Sequence, residues 1–386
     1  MKNFYKRVQL FLFAIVFFGA SHSYAQTNTL SQYVLFSGNG GAGTTVPASP
    51  GYGIHLGSPC VINSGNVGSY KLVKTLGSGI FGGNINSGGS IILSTSNSVT
   101  GKITAANSTN AAGTILSVGN GAALSGNIDV NGNITVGSGT VSGTVTHPAG
   151  TTYIGPAPTG GNVTGAPSLP TLPSLPTPAI FPAAGATNLT TTATITPGSY
   201  GNVSLANNSI LTLNGPGVYV FNSINNGNNC TFVYNFNNTT TGDFIIYVHG
   251  DIYLGKFSGV VTNGGGANRI FCETHGTGSV GANAVTISNG TAASHTKWLG
   301  TIYAPYAAIN FGSGGNTDVS GCFYSGTQII ISGGLSLTYV PFGPACTTPV
   351  ADAGVDKSFC VGGSTTIGSA SVAGNTYSWS PTTGLS

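Results

Sequence analysis

Charged side chains are scarce in this sequence. Only 4% of its residues are Asp, Glu, Lys or Arg, where about 25% is usual for a soluble protein. A protein that binds nucleic acid needs clustered cations to neutralise phosphates, and an anionic membrane surface makes a similar demand. The seven basic residues that follow residue 25 are scattered and cannot form such a surface, so we expect neither nucleic acid nor a membrane as a partner.

Long apolar runs are also absent. The run from Leu10 to Phe18 is far shorter than the 20 or so residues that span a bilayer. Basic residues precede it and Ser23-Tyr24-Ala25 follows, which is typical of a secretory signal peptide. We predict that residues 1–25 are removed and that the mature chain, starting at Gln26, is secreted or held at the outer cell surface without membrane insertion. Three of the ten basic residues lie in the signal, which leaves seven against seven acidic residues.

Cysteine is limited to six residues, and no Cys-x-x-Cys spacing occurs. A zinc site or a redox pair is therefore not expected. An even number of cysteines in an exported chain favours disulfides. Cys272 with Cys322 and Cys346 with Cys360 are the pairs that we predict, although the sequence leaves other connectivities open.

No amphipathic helix of convincing length is present, and a short glycine motif recurs instead. An apolar residue, any residue, Gly, any residue and a β-branched residue follow one another in Phe81–Ile85, Val99–Ile103, Leu124–Ile128 and Val141–Val145. The central glycines are 18, 25 and 17 residues apart, which suits one coil of a β-helix. We predict an all-β parallel β-helix (solenoid) over residues 26–345, with Ile and Val of successive coils stacked inside.

The motif stops in a segment with nine prolines, residues 147–182. Proline removes donors from a β-ladder, so we expect extended chain there. The segment is either a linker between two domains or a strap along one face of a single solenoid. Its interspersed leucines favour the strap, because a solvated linker has little use for them.

Residues 194–342 resemble secreted bacterial β-helix domains of the polymer-forming and ice-binding-like kind. The resemblance rests on Gly217-Val218-Tyr219, on Gly300–Pro305 and on Ile329–Gly334. It implies a right-handed parallel β-helix on surface and appendage proteins, and it implies no catalytic residue.

The end of the chain resembles the PKD-like or immunoglobulin-like (Ig-like) repeats of secreted Bacteroidetes proteins. The matching residues are Ala351–Asp356, Phe359–Gly362 and Thr376–Ser386. A β-sandwich of this class needs about 100 residues, so we expect residues 346–386 to be a truncated repeat. Asp352 and Asp356 are weak calcium candidates, but the resemblance places them more often in the entry strand and its turn.

One polar cluster tests the alternative that the chain is a polysaccharide lyase or hydrolase. Lyases on parallel β-helices need carboxylates for calcium and a basic residue for proton abstraction. Neighbouring strands here carry Asp243, His249, Asp251, Arg269, Glu273 and His275. In an enzyme, Asp251, Arg269, Glu273 and His275 would be catalytic. We favour the alternative that they cap strands or pair with one another, and so expect neither an enzyme nor a cofactor.

The sequence thus predicts a non-catalytic structural or adhesive surface protein that acts as a stalk or spacer and binds extracellular polysaccharide or another surface. Unpaired solenoid ends would also allow self-association. Ice binding is a second alternative, but it calls for Thr-x-Thr repeated at the coil spacing, whereas Thr190–Thr194 and Thr239–Thr241 are isolated clusters. Six aromatic residues could stack on sugars, although we expect most of them to point inward: Tyr219, Tyr247, Tyr253, Trp298, Tyr303 and Tyr306.

Overall fold

The computed structural model describes residues 28–40, 43–44, 51–106, 113–278, 282–290, 297–312 and 317–343. All of them belong to the first of two units, Met1–Gly343, and the second unit is Pro344–Ser386. The predicted signal peptide, the truncated repeat, Asp352, Asp356 and the pair of Cys346 with Cys360 lie outside the described residues. Within those ranges no helix is long and apolar enough to cross a membrane.

Short strands make up almost all of the described chain, with two 3-10 turns at Leu30–Gln32 and Ala267–Arg269. The first half contains β1 Tyr33–Ser37, β2 Gly53–Leu56, β3 Cys60–Ile62, β4 Asn66–Ser69, β5 Leu72–Thr75, β6 Gly79–Phe81, β7 Ile85–Ser87, β8 Ser90–Leu93, β9 Asn97–Val99, β10 Ile103–Ala105, β11 Thr114–Val118, β12 Ala122–Leu124, β13 Ile128–Val130, β14 Asn133–Val136, β15 Gly139–Val141, β16 Val145–His147, β17 Tyr153–Ile154 and β18 Asn162–Thr164.

The second half contains β19 Ala193–Ile195, β20 Gly198–Ser199, β21 Asn202–Val203, β22 Ile210–Asn214, β23 Gly217–Phe221, β24 Ser223–Asn226, β25 Thr231–Asn235, β26 Phe244–Val248, β27 Ile252–Leu254, β28 Gly259–Asn263, β29 Ile270–Thr274, β30 Asn283–Ile287, β31 Trp298–Leu299, β32 Thr301–Ala304, β33 Ala308–Phe311, β34 Thr317–Gly321, β35 Phe323–Ser325, β36 Gln328–Ile331 and β37 Leu335–Tyr339.

Successive strands visit three faces in turn. Face 1 is a 13-stranded sheet and face 2 is a 12-stranded sheet, while face 3 consists of an 8-stranded sheet and a 4-stranded sheet, β19-β22-β25-β28. Every pairing between described strands is parallel, for example β7 with β10 and β26 with β29. The predicted all-β, parallel β-helix is therefore confirmed for the described part of the chain.

The glycines of the repeated motif form a column at one corner of the first half. A Cβ atom on Gly101 would lie closer than 3.0 Å to the backbone of Gly83, and the same holds for Gly126 against Gly101 and for Gly143 against Gly126. Real Cβ atoms essentially never approach so closely. Glycine recurs at the coil spacing because the carbonyl group of the preceding coil occupies the space that any side chain would need.

The apolar residues of the motif stack in register inside the solenoid. Ile103 pairs with Ile85 on one side and with Ile128 on the other. A longer column follows the inside of face 2, where each member is fully buried or nearly so: Ile134, Leu116, Ile91, Val73, Ile54, Ile329, Ile309, Val285, Ile252, Ile224 and Val203. Burial of each such side chain contributes about 2 kcal/mol, and it requires the coil above and the coil below.

The order of the coils in the stack differs from their order in the chain. Coils of the first half run outward from β1 to β18, and coils of the second half run back from β20 to β35. The last coil therefore lies directly on the first one, with Leu35 beside Phe323, Ile54 beside Ile329 and Cys60 beside Leu335. We call this junction between β1–β3 and β35–β37 the seam. The described chain enters and leaves the solenoid near its middle.

Residues 165–188, which we call the strap, return the chain from one end of the stack to the other across face 1. The Ser168 amide and carbonyl bond to Asp129 and Lys102, which also form an ion pair of 2.6 Å. Further along, the hydroxyls of Tyr70 and Tyr303 donate to strap carbonyls. Leu172 and Leu175 of the strap pack against a group of buried side chains on the outer side of the seam, which includes Tyr33, Phe36 and Tyr324.

Proline suits the strap because the return path is long. The strap contacts face 1 from β13 to β20, which are ten strand spacings apart, or about 48 Å at ~4.8 Å each. Ser168 is hydrogen-bonded to Asp129 of β13, and Gly185 is hydrogen-bonded to Tyr200, which follows β20. The 17 residues from one to the other cover about 53 Å in a polyproline conformation. An extended, stiff segment of this length therefore spans the face with almost no slack.

Residues 147–164, which the sequence predicts to be extended proline-rich chain, form one more coil with β17 and β18. These strands stand at the end of the stack, where a proline costs no hydrogen bond to a following coil. At the opposite end, Gly185 and Leu189 donate to the carbonyls of Tyr200 and Asn202, so the end of the strap covers part of the terminal coil. Self-association through the ends stays a prediction.

Candidate functional site

The polar cluster predicted from the sequence is divided between two corners of the solenoid. Arg269 and Asp243 lie at the corner between face 3 and face 1, with 3.8 Å between Nε and Oδ1. The Arg269 guanidinium also donates to the carbonyls of Thr239, Thr241 and Gly242 and lies 4.4 Å above the Phe236 ring. Its hydrogen bonds hold the loop before β26, which is a structural role.

Glu273 and His275 hold the strap at the other end of β29. Glu273 is buried, and its Oε1 accepts a hydrogen bond of 2.8 Å from the Ala179 amide of the strap. His275 Nε2 lies 2.9 Å from the same carboxylate oxygen. The imidazole ring is stacked on Phe181 of the strap, with 3.8 Å between the ring centroids. Glu273 and His275, two of the four candidate catalytic residues, therefore contact the strap directly.

His249 and Asp251 lie at the corner between face 1 and face 2. His249 Nε2 is 2.9 Å from the Pro182 carbonyl, which can only accept, so this nitrogen carries a proton. Asp251 Oδ1 accepts a hydrogen bond of 3.0 Å from the Gly278 amide. The two corners are separated by the length of β26, Phe244–Val248, which is about 13 Å. Arg269 is thus brought together with Asp243, and not with Asp251, Glu273 or His275.

Most of the six candidate stacking residues are inside the protein or covered. Tyr219, Trp298 and Tyr303 are buried, and burial raises the pKa of the Tyr219 and Tyr303 hydroxyls. Tyr247 is covered by Phe181, at 4.5 Å between ring centroids, and Tyr306 packs against His275. Tyr253 is 42% exposed, so it is the one member of this set that offers an open ring face.

A groove of about 720 Å³ runs beside Tyr253 at the corner between face 1 and face 2. Strands β24, β27 and β30 supply Asn225, Tyr253 and Thr286 on the outer side of face 2, where Tyr253 pairs with Asn225 on one side and with Thr286 on the other. The sequence analysis missed Asn225 and Thr286. These residues are 28 and 33 positions from Tyr253, and such unequal coil lengths hide which residues become neighbours.

A second candidate surface is the outer side of the 4-stranded sheet on face 3. Its middle row runs Thr194, Thr212, Val233 and Val261, in register from strand to strand. On one flank, the amide of Asn235 donates to Asn214 at 2.8 Å and that of Asn263 donates to Asn235 at 3.2 Å. Together with Ile210 and Thr231 of the other flank, these nine side chains form what we call the uncharged array, because none of them ionises.

The predicted disulfide between Cys272 and Cys322 is wrong. Cys60, Cys230, Cys272 and Cys322 are all free and buried in the described chain. Cys272 pairs with Ile302, which in turn pairs with Phe323, so the two cysteines are two strand spacings apart, about 9.6 Å. A disulfide needs Cα atoms within about 7 Å. Coil register, which decides this separation, is not visible in the sequence.

Burial makes these thiols unreactive in the folded protein. It raises the pKa of Cys60 and of Cys322 to about 12 and raises that of Cys272 further. We expect iodoacetamide at pH 8 to label none of the three in the native protein and all three in denaturant, as mapped by peptide mass spectrometry. Native labelling of Cys272 would contradict the burial of this side chain.

The same shifts predict an alkaline loss of stability. A thiol with a raised folded-state pKa stabilises the fold fully below its unfolded pKa, about 8.5, and this contribution disappears as the pH rises through the folded value. The melting temperature should therefore decrease as the pH is raised from 9 to 12. In Cys60→Ala this decrease should be less steep.

No protein-family model and no curated protein sequence matches this chain. Among solved structures, an ice-binding protein from an Antarctic bacterium of the Flavobacteriaceae is similar at 12% sequence identity. The match covers 83% of this chain and 100% of that protein, with a TM-score of 0.22. A likeness of this strength carries no argument about fold or function, and the chain is assigned to no family.

Proposed function

We propose that this chain is a non-catalytic extracellular protein with a structural or adhesive role, which attaches to a neutral polymer or solid surface through the uncharged array. The array itself carries the proposal. Neighbouring rungs are about 4.8 Å apart and alternate residues along a parallel strand are about 6.6 Å apart, so hydroxyl, amide and methyl groups stand at fixed spacings on the sheet.

Physical chemistry favours a neutral target for such a surface. Burying an ionised group without a partner is costly. The array contains no ionisable side chain, so a neutral target can cover it without burying an unpaired charge, whereas a charged target would find no counter-charge there. Threonine and asparagine supply hydrogen bonds, while exposed Ile210 and Val261, at 43% and 42%, supply apolar contact. The stacked interior side chains hold the strands of the sheet in register, so little conformational entropy is lost on attachment.

The test is retention of the mature protein on insoluble cellulose, chitin and mannan, with an assay for released reducing or unsaturated ends. Thr212→Lys and Val233→Lys place a charge in the centre of the array, and we expect each to weaken retention at least about tenfold. Ser117→Lys is the matched control, because Ser117 holds an equivalent outward position on face 2, beside exposed Ile92.

Equal retention of all three variants would overturn the role of the array. Release of sugar products would overturn the non-catalytic proposal and would direct attention to Asp251 and Glu273, whose alanine variants should then lose activity while they remain folded.

Ice binding is a second candidate, favoured by one observation. Thr194 and Thr212 are direct neighbours on adjacent strands of the array, so threonines that are isolated in the sequence are stacked in the fold. A freezing-point gap in nanolitre osmometry, abolished in Thr212→Lys and retained in Ser117→Lys, would support this candidate. Absence of the gap in the unmodified protein would exclude it.

A further inference from the structure

We propose that the groove at the corner between face 1 and face 2 is a binding site for an uncharged oligosaccharide, separate from the uncharged array. Its volume of about 720 Å³ lies in the range of sites that enclose small organic ligands. The array is on face 3, so the two surfaces do not overlap. The site does not depend on the proposed attachment through the array.

The floor of the groove has the composition that a sugar ring requires. The exposed ring of Tyr253 offers a flat apolar surface on which the C–H face of a pyranose can pack. Asn225 and Thr286 flank it in register, each about 4.8 Å away along the stack. An aromatic platform with an amide on one side and a hydroxyl on the other can contact the ring face and its equatorial hydroxyls together.

His275, Gly276 and Thr277, which follow β29, line one wall of the groove, and glycine shapes it. A Cβ atom on Gly276 would lie closer than 3.0 Å to Asp251, and Gly278 has a φ of +75°. Asp251 accepts the Gly278 amide, so its carboxylate fixes this corner while it also lines the groove. Asp251 is therefore a positioning residue that can also accept a sugar hydroxyl.

The charges of the lining favour an uncharged ligand. Among the described residues that line the groove there is no lysine or arginine, and Asp251 is the one carboxylate. The two histidines of the lining already have hydrogen-bond partners. His249 is hydrogen-bonded to the Pro182 carbonyl of the strap, and His275 is hydrogen-bonded to the Glu273 carboxylate. A uronate or sulfated sugar would therefore meet a carboxylate with no lysine or arginine beside it in the described lining, which disfavours such a ligand.

The experiment is isothermal titration calorimetry of the mature protein with neutral gluco-, manno- and chito-oligosaccharides, and with oligogalacturonate as the anionic comparison. We expect at least one neutral ligand to bind and the uronate to bind at least about tenfold more weakly. Tyr253→Ala should weaken the neutral ligand at least about tenfold, whereas Tyr253→Phe, which keeps the ring, should bind within about threefold of the unmodified protein. Ile92→Ala, an exposed outward position on the same face, is the matched control and should leave affinity unchanged.

Three outcomes would overturn the site: no binding of any neutral oligosaccharide, unchanged affinity in Tyr253→Ala, or tighter binding of the uronate. Failure here is distinguishable from failure of the proposed attachment, because Thr212→Lys should lose retention on insoluble polymer and keep oligosaccharide binding. Tyr253→Ala should show the opposite pattern. A loss of both in a variant that keeps the unfolding free energy of the unmodified protein would contradict the separation of the two surfaces.

Discussion

Replacing Gly57 with alanine is expected to lower the free energy of unfolding by about 3 kcal/mol. Gly57 follows β2 in the first coil and faces Ser332, which follows β36 in the last coil. A Cβ atom there would lie closer than 3.0 Å to the carbonyl carbon and oxygen of Ser332. Both are backbone atoms and cannot rotate away, so the two coils must separate at the seam.

Equilibrium unfolding in guanidinium chloride measures this loss, and Gly113→Ala is its control. Nothing lies within 4 Å of a Cβ atom on Gly113, and its φ is not in the left-handed region, so its change should stay within about 0.5 kcal/mol. Hydrogen exchange locates the effect: the amides of Gly38 and Gly53, which bond across the seam to Ser325 and Thr327, should lose protection first. Wild-type stability in Gly57→Ala would show that the seam deforms without cost.

The sequence predicts the coil and its interior because both depend on neighbouring coils in the chain. Gly83, Gly101 and Gly126 recur because each meets the coil before it, and Ile85, Ile103 and Ile128 recur because they stack. Such constraints leave a visible period in the chain. The parallel β-helix could therefore be predicted from a single sequence.

The seam leaves no comparable period. Leu35 and Phe323 are neighbours although 288 positions separate them in the chain. Neither segment contains a sequence pattern that identifies the other as its partner. Coil lengths also vary, so the residues that pair between adjacent coils of the second half cannot be found by counting a fixed number of positions along the sequence. For this reason the pairing of Cys272 with Cys322 was predicted wrongly, and Asn225 and Thr286 were not associated with Tyr253. Exposure of Tyr253 itself follows from its alternation with buried Ile252 and Leu254.

The seam also places both ends of the described chain at the middle of the stack, where the Tyr339 hydroxyl donates to the Ser31 carbonyl. A stalk that is joined end to end needs its termini at opposite ends. This arrangement instead leaves the two ends of the solenoid away from residues 28 and 343, where the described chain begins and ends. Within the proposed function, this position favours an adhesive unit that presents broad faces over a spacer that carries load along its axis.

Phe244→Ala should be among the most destabilising single truncations in the second half, with a loss of about 4 kcal/mol. Phe244 is fully buried at the first position of β26. Its ring meets Phe236 and Tyr234 edge to face, at 4.8 and 5.1 Å between centroids, and is stacked with Tyr219 at 5.7 Å. Three rings from neighbouring coils lose a common partner, and the rigid stack cannot collapse into the space that remains.

Tyr253→Ala is the matched control, since it removes an aromatic ring from the next strand, β27, on the outside of the same coil. Its loss should stay below about 0.5 kcal/mol, and this value also shows that the groove variant is folded. Both are measured by guanidinium chloride unfolding, followed by far-ultraviolet circular dichroism. A small loss in Phe244→Ala would mean that the wide coils of the second half relax around a cavity. The aromatic stack would then not be what holds the strands of the array in register.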